Sequence, residues 1–214
     1  MELNDQQRAG ISQPYGFETY GRGGVVYYGG SQMWYSRFWQ RRAGCGPTSA
    51  SNIFAHLARQ HANLAPLCPY DTRCKDQMLL LMQDVWRYIT PTWRGVNTCK
   101  LFANGAVRYA AERGVAITPR VLEISAEAAA RADSSAVVDF ISKAFADDLP
   151  VAFLNLCNGA LCNLDRWHWV TLIDFDIFTN IATMCDLGNK IEIDLGLWLR
   201  TTTQGGGFVA LDWS

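Results

Sequence analysis

The chemistry in this sequence gathers around one cysteine. Gly44-Cys45-Gly46-Pro47 precedes a helical pattern that carries Ile53, Phe54 and Leu57 on one face and runs to Gln60. Proline suits only the first turn of a helix, where the N–H it lacks would be unpaired anyway, so this helix starts beside Cys45. A thiol attacks a carbonyl as the thiolate, which a helix N-terminus and a neighbouring imidazolium both favour. Gly44 and Gly46 let the backbone turn sharply and let a substrate carbonyl come close. The Cys45 N–H is then placed to face a developing oxyanion. Gln40, upstream of Cys45, is the candidate second donor, and Gln32 is a weaker one. The competing readings are a buried structural cysteine at a helix start and a surface glutamine.

The base follows partly by elimination, because the chain has 3 histidines. His56 lies on the helix that Cys45 opens, about 16 Å further along its axis at about 1.5 Å per residue. His61 is further still. His168 remains, in Trp167-His168-Trp169-Val170-Thr171-Leu172-Ile173, a strand pattern flanked by aromatic rings that partly exclude water. Its other ring nitrogen needs an acceptor to fix tautomer and orientation. Asp174 and Asp176 share its strand and sit about 20 Å or more away at about 3.3 Å per residue. Asp186 ends the next strand, and a hairpin turning around Ile177 sets residues 168 and 186 face to face. A plain turn role for Asp186-Leu187-Gly188-Asn189 is the alternative, with Asp165 and Asn189 as runners-up. Trp34, Trp39, Trp167 and Trp169 are candidates for a substrate cleft, although core packing explains tryptophans as well.

These groups must be held by a recognisable set of elements. Residues 1–24 are polar and rich in Gly, Gln and Tyr, and read as an irregular arm; residues 25–214 read as a single domain. Val25–Tyr28 is a short strand. Helices are expected over Lys75–Ile89, ended by Pro91, over Lys100–Arg113, stopped by Gly114, and from a Ser134 or Ser135 cap through Phe145. Two short strands flank Pro119. After Pro150 the pattern turns to β: Val151–Leu156, His168–Phe175, Ile181–Cys185, Lys190–Ile193 and Phe208–Leu211, with helical turns at Leu195–Thr201. Helices first (about 45–147) and strands second (about 150–214) imply an α+β fold, a helical lobe against an antiparallel sheet.

The bulk numbers narrow the classes. With 214 residues, 49% of them hydrophobic, the chain can bury a sizeable core. A net charge of −1, from 19 basic and 20 acidic side chains, gives no polybasic face for nucleic acid or anionic membrane. No apolar run is long enough to span a bilayer, and the first residues carry no secretory h-region. The default compartment is therefore the cytoplasm, with export by a non-classical route or as an effector left open. The 7 cysteines, Cys45, Cys68, Cys74, Cys99, Cys157, Cys162 and Cys185, are odd in number and lack the paired spacing of zinc sites. No metal or cofactor is expected.

Gly44-Cys45-Gly46-Pro47-Thr48-Ser49, His168-Trp169-Val170-Thr171-Leu172-Ile173 and Met184-Cys185-Asp186 resemble the three motifs of papain-like cysteine peptidases. The order Cys, His, Asp and the short His-to-Asp gap are most similar to the bacteriocin-processing, double-glycine-leader branch and its stand-alone relatives. The resemblance implies a helical lobe on an antiparallel sheet, with Cys45 as nucleophile, His168 as base, Asp186 as orienting acid and Gln40 in the oxyanion hole. It implies a peptide or protein substrate, or a small amide, cleaved through an acyl-enzyme. Acyl transfer or amidase chemistry on the same fold, and a non-catalytic binding or effector module, are the alternatives. The leader peptidases are front ends of transporters, and no transporter or ATPase part is seen here. Oligomeric state, side-chain preference and a blocking role for residues 1–24 are not legible.

Overall fold

The computed structural model describes residues 8–12 and 14–213. The start of the expected polar arm, residues 1–7, lies outside the described residues. The chain is a mixed α+β fold built on a mostly antiparallel sheet. In chain order its elements are β1 (Arg8–Gly10), β2 (Glu18–Tyr20), β3 (Val26–Tyr28), α1 (Phe38–Ala43), α2 (Cys45–Gln60), α3 (Lys75–Trp86), α4 (Cys99–Glu112), β4 (Ile117–Ile124), α5 (Ser134–Ala146), β5 (Val151–Asn155), β6 (His168–Asp176), β7 (Ile181–Asp186), β8 (Asn189–Asp194), α6 (Leu195–Thr201) and β9 (Gly206–Trp213).

The main sheet has the order β4-β9-β5-β6-β7-β8, with β1 added alongside β6. Every residue of β5 and the first six of β6 are buried, so both faces at the sheet centre are covered. On one face, Trp169 stacks on Phe102 of α4, and Thr171 bonds Ser49 and Asn52 of α2. On the other, Phe153 and Phe208 meet Trp198 of α6, and Phe208 meets Phe140 of α5. The sheet is thus sandwiched, where the sequence suggested a helical lobe on one side.

Most expected elements are present with small shifts of their ends. Pro119 does not break the strand around it: β4 pairs only with β9, so this edge tolerates a residue without an N–H. The cap of α5 is Asp133, whose carboxylate accepts from the Ala136 N–H at 2.8 Å, one place before the serines expected there. Helix α1 was not foreseen among the aromatics at 34–39. The described part of the arm is no loose lead-in: β1 joins the sheet, Ile11 and Phe17 enter the core, and β2 pairs with β3.

Candidate active site

Cys45 is the first residue of α2, reached directly from α1 through Gly44. Both glycines around it are needed for close packing. A Cβ on Gly44 would collide with the Gln40 carbonyl oxygen and the Tyr35 ring, and one on Gly46 would lie 3.0 Å from two carbons of Val96. Gly44 and Gly46 therefore sit inside the wall behind the cysteine and line no cleft, correcting the expectation that they face substrate. Pro47 falls in the first turn of α2, where its missing N–H leaves nothing unpaired.

His168 opens β6 and Asp186 closes β7; His168 Nε2 and Asp186 Oδ1 are 2.6 Å apart, and both residues are buried. The hairpin between them turns at 176–181, not around Ile177 alone, and the two residues are diagonal neighbours rather than direct partners. From Asp176↔Ile181 to Asp174↔Thr183 the pairing would bring Asp186 across from Thr171. A bulge between Leu172 and Asp174 shifts it, so that Thr171 pairs with Cys185 and Asp186 falls across from Val170. Side chains alternate along a strand, so this one extra residue puts Asp186 on the His168 side of the hairpin.

With Nε2 held by the carboxylate, Nδ1 is the ring nitrogen left for a thiol. Cys45 and His168 line one small inner cavity together with Asp186. Burial alone would lower the His168 pKa, but the hydrogen bond and charge of Asp186 and the adjoining Cys45 sulfur outweigh it and push the imidazole up to about 10. The carboxylate and the sulfur thus favour the charged form of the ring.

Gln32, not Gln40, lines that cavity. Its Nε2 donates to the Arg41 carbonyl at 2.8 Å, and its Oε1 is buried without a partner, as is the Thr48 hydroxyl on the same cavity. Gln40 is half-buried on α1 and lines neither this cavity nor the outer cleft. One helical turn separates it from Gly44, and its backbone carbonyl oxygen lies against that glycine.

Outside the cysteine lies an open cleft of about 540 Å³, lined by Cys45, Trp39, Trp167 and others. Trp167 precedes His168 with φ +56°, a left-handed backbone that a bulky residue adopts only under constraint. The strain turns its half-exposed ring into the cleft while His168 enters the interior. Trp169 is buried against Phe102 and donates to the Val96 carbonyl at 2.5 Å; it borders the inner cavity, not the outer cleft. Trp34 packs edge-on against Tyr27 and under the Lys75 ammonium, away from the cleft. Sequence reasoning missed Arg42, Trp93 and Arg94 in the cleft wall; the one available signal was Gly95, which closes a tight turn with φ +74°.

The remaining candidates lie elsewhere. His56 stacks on Phe17, and its Nε2 is 3.2 Å from the Asp148 carbonyl; burial lowers its pKa. His61 leans on the Trp213 ring. Asp174 and Asp176 are at the far end of β6, where β1 pairs. Asp165 contributes its carbonyl to the Asn155 amide, and Asn189 pairs with Asp186 at the start of β8. All 7 cysteines are free thiols. No helix among the described residues is long and apolar enough to cross a membrane. No family model matches the chain, and no curated protein matches it significantly.

Proposed function

We propose that this chain is a cysteine-nucleophile hydrolase of the papain-like kind, acting on a peptide or related amide bond. One observation carries the reading: a buried imidazole, 2.6 Å from a carboxylate through one nitrogen, shares a cavity with a thiol at the head of a helix.

In this scheme His168 holds the proton taken from Cys45, and the sulfur attacks the substrate carbonyl carbon. The carbonyl π electrons move to oxygen, where the Cys45 N–H at the start of α2 and the second N–H of the Gln32 amide, the first being given to the Arg41 carbonyl, are the candidate donors. Collapse of that oxyanion breaks the C–N bond as His168 protonates the leaving amine. His168 then takes a proton from water, the hydroxide adds to the thioester, and Cys45 leaves with the acid product released. Asp186 keeps the ring in the right tautomer throughout. Acyl transfer to an amine uses the same first half, with the amine in place of water.

Alkylation by iodoacetamide at pH 6, resolved peptide by peptide, tests the assignment. This resolution matters because the Thr203 hydroxyl and nearby backbone N–H groups lower the Cys157 thiol to about 7. Cys45 should react at least about tenfold faster than the exposed Cys74 and Cys162, and His168→Ala should remove that advantage. Cys45→Ala should abolish cleavage of a quenched fluorescent peptide library without lowering the melting temperature. Equal reactivity at all three thiols in the wild type would sink the enzyme reading. Amide formed in place of free acid with a dilute, unactivated primary amine would select acyl transfer.

A further inference from the structure

The outer cleft is built with a repeated pairing on its two walls. On α1, Trp39 and Arg42 are three residues apart and so share one helix face, and both border the cleft. Across from them, Thr92 and Gly95 exchange backbone hydrogen bonds of 3.1 and 2.9 Å, closing a two-residue turn that projects Trp93 and Arg94 over the same space. Cys45 also borders that space, and Trp167 walls it on a third side.

Three features set this cleft apart from an ordinary solvated surface. Trp93 is 78% exposed, the most exposed large apolar side chain among the described residues, and Trp39 and Trp167 are 44% and 46% exposed around the same opening. Indoles left in water around one hollow mark a ligand surface more often than scattered single ones do. Neither Arg42 nor Arg94 is in an ion pair among the described residues; each guanidinium lies only over an aromatic ring, Phe38 at 5.9 Å and Trp93 at 4.4 Å. No acidic side chain lines the cleft, although the chain carries 20 acidic residues against 19 basic ones. The charge here is local and of one sign.

From this we infer that the site takes acidic peptide segments, with a carboxylate placed on one or both sides of the reacting amide and an aromatic or apolar side chain among the indoles. This deepens the hydrolase reading and rests on it for the reaction, but not for the binding. A guanidinium accepts a carboxylate in a two-pronged contact, and beside an indole that contact is partly dried and strengthened. Two cations at one opening also raise the local concentration of an anionic ligand. Single-stranded nucleic acid would use stacking and arginine too, but it needs a basic track along its backbone. Two arginines in a chain of net charge −1 do not supply one.

The test separates binding from turnover. The Cys45→Ala protein is titrated with a random copolymer of Glu and Tyr, a random copolymer of Lys and Tyr, and an oligothymidylate, following tryptophan fluorescence. The Glu/Tyr copolymer should bind at least about tenfold more tightly than the Lys/Tyr copolymer and weaken as salt rises. The double change Arg42→Glu with Arg94→Glu, both on exposed side chains, should reverse the order with an unchanged melting temperature. In the wild type, the rate ratio of anionic iodoacetate to neutral iodoacetamide at Cys45 should exceed that at Cys74 and fall about tenfold in the double variant. No difference between the copolymers, tighter binding of the oligothymidylate, or an alkylation ratio blind to the charge reversal would each overturn the inference. Binding of the Glu/Tyr copolymer by a protein that cleaves nothing would keep the inference and remove the hydrolase reading. Cleavage of neutral and acidic peptides alike would do the opposite.

Discussion

At the level of single residues, the candidate site depends on which of two opposing effects controls the His168 imidazole. Burial favours the neutral ring, while Asp186 at 2.6 Å and the adjoining Cys45 sulfur favour the charged one, and the second pair wins. Asp186→Asn keeps the shape and removes the charge, so the pKa of the ring falls and burial weighs more heavily against the charged form. Cys45 alkylation at pH 6 should then drop about tenfold or more, as measured by peptide-resolved labelling. A drop no larger than that of the Asp174→Asn control would leave the carboxylate as a packing group. The two glutamines offer a second comparison. Gln32→Ala should lower kcat about 10²-fold with little change in KM, the expected cost of losing one oxyanion donor, whereas Gln40→Ala should stay near wild type. The reverse result would restore the assignment made from sequence spacing. Spacing counts residues and does not register α1, the helix that carries Gln40, which lines neither the inner cavity nor the outer cleft. Cys45, His168 and Asp186 were legible because few residues could fill each role: a cysteine at a helix start with glycine on both sides, which neither Cys74 before α3 nor Cys99 at the head of α4 has, three histidines of which two are on or beyond the Cys45 helix, and one carboxylate on the neighbouring strand.

At the level of elements, secondary structure was readable wherever a periodic pattern met a clear stop, as in α2, α4 with Gly114 behind it, and α6. It was unreadable where tertiary context decided. Pro119 looks like a strand break until β4 is known to be an edge, and the strand polarity of β1 and β2 has no apolar alternation to announce it. The bulge in β6 is the clearest case. No Gly or Pro marks Leu172-Ile173-Asp174, yet this one-residue shift decides on which side of the hairpin Asp186 falls. The left-handed Trp167 is a further local cost that the surroundings sustain. Trp167→Gly relieves the backbone and removes the ring. Stability should be unchanged or raised by about 1 kcal/mol, while kcat/KM falls as the cleft loses a wall. A calorimetric melting curve beside peptide kinetics checks both halves. A large loss of stability instead would show that the ring is core and not cleft.

Across the whole molecule, the chain's beginning and its site are tied through that same bulge. Arg8–Gly10 pair with Asp174–Asp176, the Ile11 N–H donates to the Ile173 carbonyl at 3.2 Å, and Ser12 donates through both N–H and hydroxyl to the Asp148 carboxylate at 2.7 and 2.9 Å. Asp148 also lies against His56, on the helix that Cys45 opens. None of the described residues of the arm before β3 lines the outer cleft or the inner cavity, so this part of the chain braces the far end of β6 and does not cover the thiol. Removing residues 1–12 should therefore act in a direction opposite to the removal of a blocking segment. Several backbone bonds and the burial of Ile11 are lost, the bulge at Ile173 loses its partner, and the fixed relation of His168 to Asp186 loosens. The melting temperature should fall, and Cys45 labelling at pH 6 should fall with it, while Cys74 labelling stays constant. His56→Ala provides the matching control: it disturbs the same brace from the helix side, costs about 2 kcal/mol or more of stability through the cavity it leaves, and spares turnover in the folded protein. If truncation instead raises Cys45 labelling and peptide cleavage, the arm is a lid on the site, and the bracing role argued from β1 is wrong.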